Sequence, residues 1–135
     1  MDIEVIKAKI AEFKSKGCEV PDMDMIKTPE QIEGICAAAK INNACLDLIA
    51  QKIKAGVTTE EIDALAYDFI TKSGGIPACL GFYGFPKSIC TSVNDQVCHG
   101  IPDKTVLKSG DIVNVDVTTI YNGYYADDFR MFFIW

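Results

Sequence analysis

Apolar residues recur at steps of three and four through the first half of the chain and crowd into alternating runs near its end, which predicts helices first and a sheet second. Ile3, Ile6, Ile10 and Phe13 line one side of a predicted helix over residues 2–16, and Gly17 supplies its stop. Over residues 19–27 the periodicity lapses and Pro21 interrupts, giving a short linker. A second helix opens with Thr28 as N-cap, Pro29 at the first helical position and Gln31 placed for a capping box. Its apolar stripe is Ile32, Ile35, Ala39, Leu46, Ile49 and Ile53, and Gly56 ends it. Thr58 with Glu61 repeats the capping box for a third helix that buries Ile62, Leu65, Ala66, Phe69 and Ile70 and closes at Gly74 and Gly75.

From Ile76 onward the composition turns to Gly, Pro and aromatic residues, and the stretch Cys79 to Pro86 reads as a loop. Two short apolar runs follow, Ile89 to Val93 and Gln96 to His99. Residues 111–135 are dense in Val, Ile, Thr, Tyr and Phe and are split by Asn122-Gly123, a strong signal for a two-residue hairpin because a type I′ turn needs positive φ at both central positions. The predicted class is therefore α+β, amino-terminal helices followed by an antiparallel β-hairpin sheet.

Composition narrows the partners. At 135 residues, 49% hydrophobic and 24% charged, the chain fits one globular domain with a real core. A net charge of -6 argues against nucleic acid, whose binding rests on Lys and Arg patches; Lys7, Lys9, Lys14 and Lys16 alternate with Glu4 and Glu12 as a solvated helix face does. No apolar run reaches the ~18 residues that cross a bilayer, so no membrane partner is expected. Six cysteines with no signal peptide ahead of them and no C-x-x-C spacing are read as reduced thiols of a cytoplasmic protein.

The hairpin carries the candidate chemistry. With Asn122 and Gly123 as the loop, Tyr121 pairs with Tyr124, Thr118 with Asp127 and Asp116 with Phe129, so Asp116, Thr118, Asp127 and Phe129 share one face. Asp116 and Asp127 become diagonal neighbours, about 7 to 8 Å apart at the backbone. Two carboxylates gathered on an apolar hairpin repel and lose hydration, which a divalent cation offsets. The same residues also allow a solvated Asp at a strand edge, or a bulge that sends the two to opposite faces. Asp128 falls on the other face beside Arg130, as a surface ion pair would. The single histidine, His99, precedes a turn forced by Gly100 and Pro102, where a structural role is the commoner one.

The runs SICTSVNDQVCHGIP from Ser88, LKSGDIVNVDVT from Leu107 and NGYYADDFRMF from Asn122, with CLGFYGFPKS and IKTPEQIEGI before them, resemble the amino-terminal half of type I methionine aminopeptidases over about four fifths of the chain. The resemblance implies half of a pita-bread fold, with residues 1–25 as an amino-terminal helix and linker and 26–135 as the amino-terminal half of the catalytic domain. It implies removal of the initiator methionine from peptides or nascent chains with two divalent ions, among Mn, Fe, Co, Zn and Mg. Asp116 and Asp127 match metal ligands of that family, His99 matches a catalytic residue that contacts substrate, and Cys79, Phe82, Phe85 and Cys90 match the wall of the methionine pocket. The remaining ligands belong to a carboxy-terminal half, so the chain alone is expected to be incomplete. That half, or a second copy, is the expected cover for the apolar end Phe132 to Trp135; a non-catalytic dimerising or binding module is the alternative.

Overall fold

The computed structural model describes residues 2–135, and the chain divides into two compact units, Met1–Ile32 and Glu33–Trp135. In the first, helix α1 spans Ile3–Ser15, capped by Asp2, whose side chain accepts from the Glu4 amide at 3.0 Å. Its stripe is not buried: Ile3 and Phe13 are exposed, and Ile6 and Ile10 are half-buried. A short 3-10 turn, Met23–Met25, occupies the linker.

Helix α2 runs Pro29–Lys52. Its capping box forms as the sequence predicts, the Gln31 amide donating to Thr28 Oγ1 and the Thr28 amide to Gln31 Oε1. The buried stripe differs from the expected one. Ala38, Asn42, Cys45, Leu46 and Ile49 face the core, whereas Ile32 is exposed and Ile35, Ala39 and Ile53 are half-buried. The face is centred on a polar residue that reading by hydrophobicity passes over: Asn42 is buried because its Oδ1 accepts a 2.7 Å hydrogen bond from the Thr119 hydroxyl. Helix α3, Thr59–Lys72, carries the full Thr58–Glu61 capping box and buries Ile62, Ala66 and Ile70.

These helices cover one face of a four-stranded antiparallel sheet: β1 Ile76–Pro77, β2 Cys90–Val93, β3 Ile112–Tyr121 and β4 Tyr124–Phe133. Strand β3 is its centre, with β1 and β2 in succession along one edge and β4 along the other. The β3–β4 register is the one the Asn-Gly turn predicts, including Thr118 opposite Asp127 and Asp116 opposite Phe129. Asn122 and Gly123 both take positive φ, 49° and 81°.

Alternation then sorts the side chains. Val113, Val115, Val117 and Thr119 point to the helices and are fully buried, joined by Ala126 and Phe132 of β4. The apolar end of the chain divides in the same way: Phe132 and Ile134 are in the core, and only Phe133 and Trp135 are exposed. Gly34 lets α2 meet β4, since a Cβ there would lie 2.4 Å from the Tyr124 ring. Among the described residues no helix is long and apolar enough to cross a membrane.

Candidate functional site

On the sheet face turned away from the helices, Asp116, Thr118 and Asp127 open into a cavity of about 640 Å³. Every residue the sequence singled out lines it: Cys79, Phe82, Phe85, Cys90, His99, Asp116 and Asp127. Register brings the acidic pair in from β3 and β4, and the ladder sets Cys90 directly opposite Asp116. Between Cys79 and Cys90 the chain leaves the sheet and makes a 3-10 turn, Phe82–Gly84, within the stretch expected to be plain loop. Tyr83 there takes a φ of 47° and is almost wholly exposed. Phe82, also exposed, packs edge-on against it with ring centres 4.6 Å apart.

Burial and the Asp127 carboxylate within hydrogen-bonding reach, in that order, push the Asp116 carboxyl above its usual range; Asp128 adds to this and His99 opposes it. Asp127 is held by Thr118, whose hydroxyl donates to Oδ1 at 2.6 Å and leaves Oδ2 free of that bond. Two carboxylates in a half-enclosed pocket form a surplus of negative charge that suits a divalent cation. Among the described residues no three His, Cys, Asp or Glu side chains gather at one point; Asp116 and Asp127 are the pair of carboxylates that line the cavity. Asp128 is not paired with Arg130 as expected. Arg130 reaches across to Asp47 at 2.9 Å, and Asp128 Oδ1 accepts from the Phe129 amide, because the buried face draws the Arg130 side chain toward α2.

His99 sits exposed at the rim with a φ of 53°. The next residue anchors it: the Gly100 amide donates to Ser92 Oγ at 3.1 Å and its carbonyl accepts from the Thr91 amide at 2.8 Å. A Cβ on Gly100 would stand 2.1 Å from the Thr91 carbonyl oxygen, so only glycine fits. The start of β2 is fixed from below by Asp63, a buried carboxylate that accepts from the Ser88 and Ile89 amides at 2.7 and 3.2 Å. Burial raises its pKa against the pull of those two bonds.

Two cysteines, Cys79 and Cys90, line the cavity wall. The Cys90 thiol lowers Cys79 to about 7, and Cys79 together with burial pushes Cys90 up. Four lining residues lay outside the sequence reading as site residues: Ala78, Thr118, Tyr83 and Tyr125. Thr118 and Tyr125 were accessible to it, since the hairpin register and the period of two place both on the face of Asp127. The position of Tyr83 depends on the loop turn and had no such signal.

The profile of Metallopeptidase family M24 matches residues 33–135. Methionine aminopeptidase of Buchnera aphidicola subsp. Schizaphis graminum is 50% identical over 111 residues, which is 82% of this chain and 42% of that protein. Methionine aminopeptidase of Escherichia coli (strain K12) is 46% identical over the same length, covering 81% and 42%. Among solved structures, methionine aminopeptidase from Rickettsia prowazekii superposes with a TM-score of 0.79 at 48% identity, over 81% of this chain and 44% of that one. The α+β arrangement is that of half a pita-bread fold, and the chain spans between a quarter and about two fifths of the length of the curated relatives it matches.

Proposed function

Because the chain belongs to metallopeptidase family M24, a family that works with divalent metal, we propose that its cavity holds the amino-terminal methionine of a peptide or nascent chain, which the whole protein removes by hydrolysis. The observation that carries this reading is the convergence of Asp116 and Asp127 at one end of a cavity walled by sulfur and aromatic side chains. Asp116 and Asp127 are the metal ligands supplied by this chain. When bound, divalent ions supply Lewis acidity toward the scissile carbonyl and a more acidic water. Oxygen donors of this kind accept Mn, Fe, Co, Zn or Mg without choosing among them.

The chain's own side chains then divide the remaining work. Cys79, Cys90, Phe82 and Phe85 offer polarizable and flat surfaces to an unbranched thioether. The substrate's free ammonium is drawn to the acidic end. His99, at the rim, donates a hydrogen bond to the oxygen of the scissile carbonyl as charge develops there. Thr118 keeps Asp127 aimed. Residues 26–135 are taken as the catalytic half-domain and 1–25 as an appendage to it. A cytoplasmic setting belongs to this reading, supported by six free thiols, as does the lack of nucleic-acid and membrane partners in an acidic chain.

A second reading is favoured by one observation. The cavity face of β4 continues as Phe129, Met131 and Phe133, 64%, 48% and 64% exposed, and such an apolar row suits a second copy of the chain or a further part of the fold. Calorimetric titration of manganese into wild type and Asp116→Asn tests the first reading, with at least about tenfold weaker binding expected in the variant, or ~1.4 kcal/mol. Cleavage of a Met-Ala peptide that depends on manganese and on Asp127 would complete it. Weak binding equal in both proteins, with sedimentation as a dimer, would put the second reading in its place.

A further inference from the structure

We propose that helix α1 is a docking surface for an acidic amphipathic helix of another protein, which pairs with it in the manner of a short coiled coil. Ile3, Ile6, Ile10 and Phe13 follow one another at steps of three, four and three, the a and d positions of two consecutive heptads. The helix that carries them buries none of its residues, and Ile3 and Phe13 are each 46% exposed. An apolar seam is thus formed and left open. The positions beside the seam decide what fits it. Both e positions, Lys7 and Lys14, and both g positions, Lys9 and Lys16, are lysine, whereas Glu4 and Glu12 stand at outer b and c positions.

This arrangement disfavours a second copy of the chain in the seam. In a parallel pair each g position faces the e position of the next heptad, so Lys9 of one copy would meet Lys14 of the other. In an antiparallel pair e faces e and g faces g, again lysine on lysine. Like charges set opposite each other act against that partner, and Glu or Asp at the same places turns them into ion pairs. The lysines are available for this. Among the described residues Lys9 and Lys14 make no ion pair. Lys7 and Lys16 are held only by Glu4 and Glu12 of their own helix, in exposed pairs at 2.8 and 2.5 Å that are individually weak. Lys16 Nζ lies 5.4 Å from the centre of the Phe13 ring, so its aliphatic stem already flanks the seam. Two heptads are fewer than a free-standing coiled coil needs, which makes the contact an exchangeable one. It rests on nothing assigned to the cavity.

The full chain, titrated into a labelled synthetic peptide of three heptads with Ile at a, Leu at d and Glu at e and g, tests the surface by fluorescence anisotropy. A twin peptide with Lys at e and g is the control. Wild type is expected to bind the acidic peptide at least about tenfold more tightly than the twin, and the preference should shrink in high salt. Lys9→Glu with Lys14→Glu, which leaves the Glu4–Lys7 and Glu12–Lys16 pairs in place, should reverse the preference. Equal binding of both peptides, or of neither, would overturn the proposal. So would wild type that sediments as a dimer while Ile10→Asp sediments as a monomer, since a second copy would then fill the seam. Attachment to phosphatidylserine vesicles without binding of the acidic peptide would make α1 a lipid-facing helix instead. The two wild-type titrations decide the matter should the variant lose its helix.

Discussion

The two faces of the β3–β4 hairpin come from the same twenty-odd residues, yet they are made for different ends. Toward the helices stand Val113, Val115, Val117, Ala126 and Phe132, all buried, with one polar member, Thr119, satisfied by Asn42. Toward the cavity stand Asp116, Thr118, Asp127, Phe129 and Phe133, where a carboxyl is held above its usual pKa and large apolar rings meet solvent. A strand's period of two lets the first face hold the fold while the second departs from the rules of a stable surface. Like charges and bare aromatics are tolerable there because the opposite face bears the stability. Substitutions at matched positions of the two faces should therefore separate in kind as well as in size.

The largest separation is expected between two phenylalanines three residues apart. Phe132 is 9% exposed and packs in the core, and Phe129 is 64% exposed on the cavity face. Urea denaturation should find Phe132→Ala destabilised by about 3–5 kcal/mol, as for a deleted core ring. Phe129→Ala should fall within about 0.5 kcal/mol of wild type. Equal losses would show that the cavity face is covered in solution, and would break the comparison as drawn.

A smaller effect tests whether the cavity face is organised for binding. Thr118→Val keeps the shape of the side chain and removes the hydroxyl that holds Asp127 Oδ1 at 2.6 Å. Loss of an outer hydrogen bond to a ligand commonly weakens metal affinity by roughly 10-fold or more. Manganese calorimetry should show a drop of that order, while the urea midpoint moves little, because Thr118 lies on the half-exposed face. A shifted midpoint with unchanged manganese affinity would make Thr118 a structural residue only.

How far this division could be read from sequence differs by region. The hairpin was legible to the residue, because an Asn-Gly turn fixes the register and register fixes the faces. Hence the sequence alone puts Asp116, Asp127 and Thr118 on one face. The capping boxes at Thr28 and Thr58 were legible for a similar reason: their partners are local. The buried side of α2 was not, because it turns on Asn42, whose burial requires Thr119, 77 residues away. Asp128 and Arg130 failed in the same way, since Asp47 competes from α2 for the arginine. Short-range geometry was readable, and polar partners chosen across the fold were not.

The smallest expected effect has the most informative sign. In the metal-free protein Asp116 is half-buried beside Asp127, and its carboxyl is raised above the unfolded value of about 3.9. A raised folded value means that the group favours the fold fully below the unfolded pKa and that this contribution is lost as pH rises through the folded one. At neutral pH the charged Asp116 is therefore a net burden, and Asp116→Asn should stabilise the metal-free protein. The gain should be no more than about 1 kcal/mol, because solvent reaches the pair. Thermal melts in chelator should show the variant above wild type at neutral pH and level with it once the pH falls below about 4. Manganese should reverse the order, since wild type gains from binding what the variant cannot. A variant less stable than wild type in chelator at neutral pH would mean that Asp116 is a structural group, and the cavity face would then obey the same rules as the core.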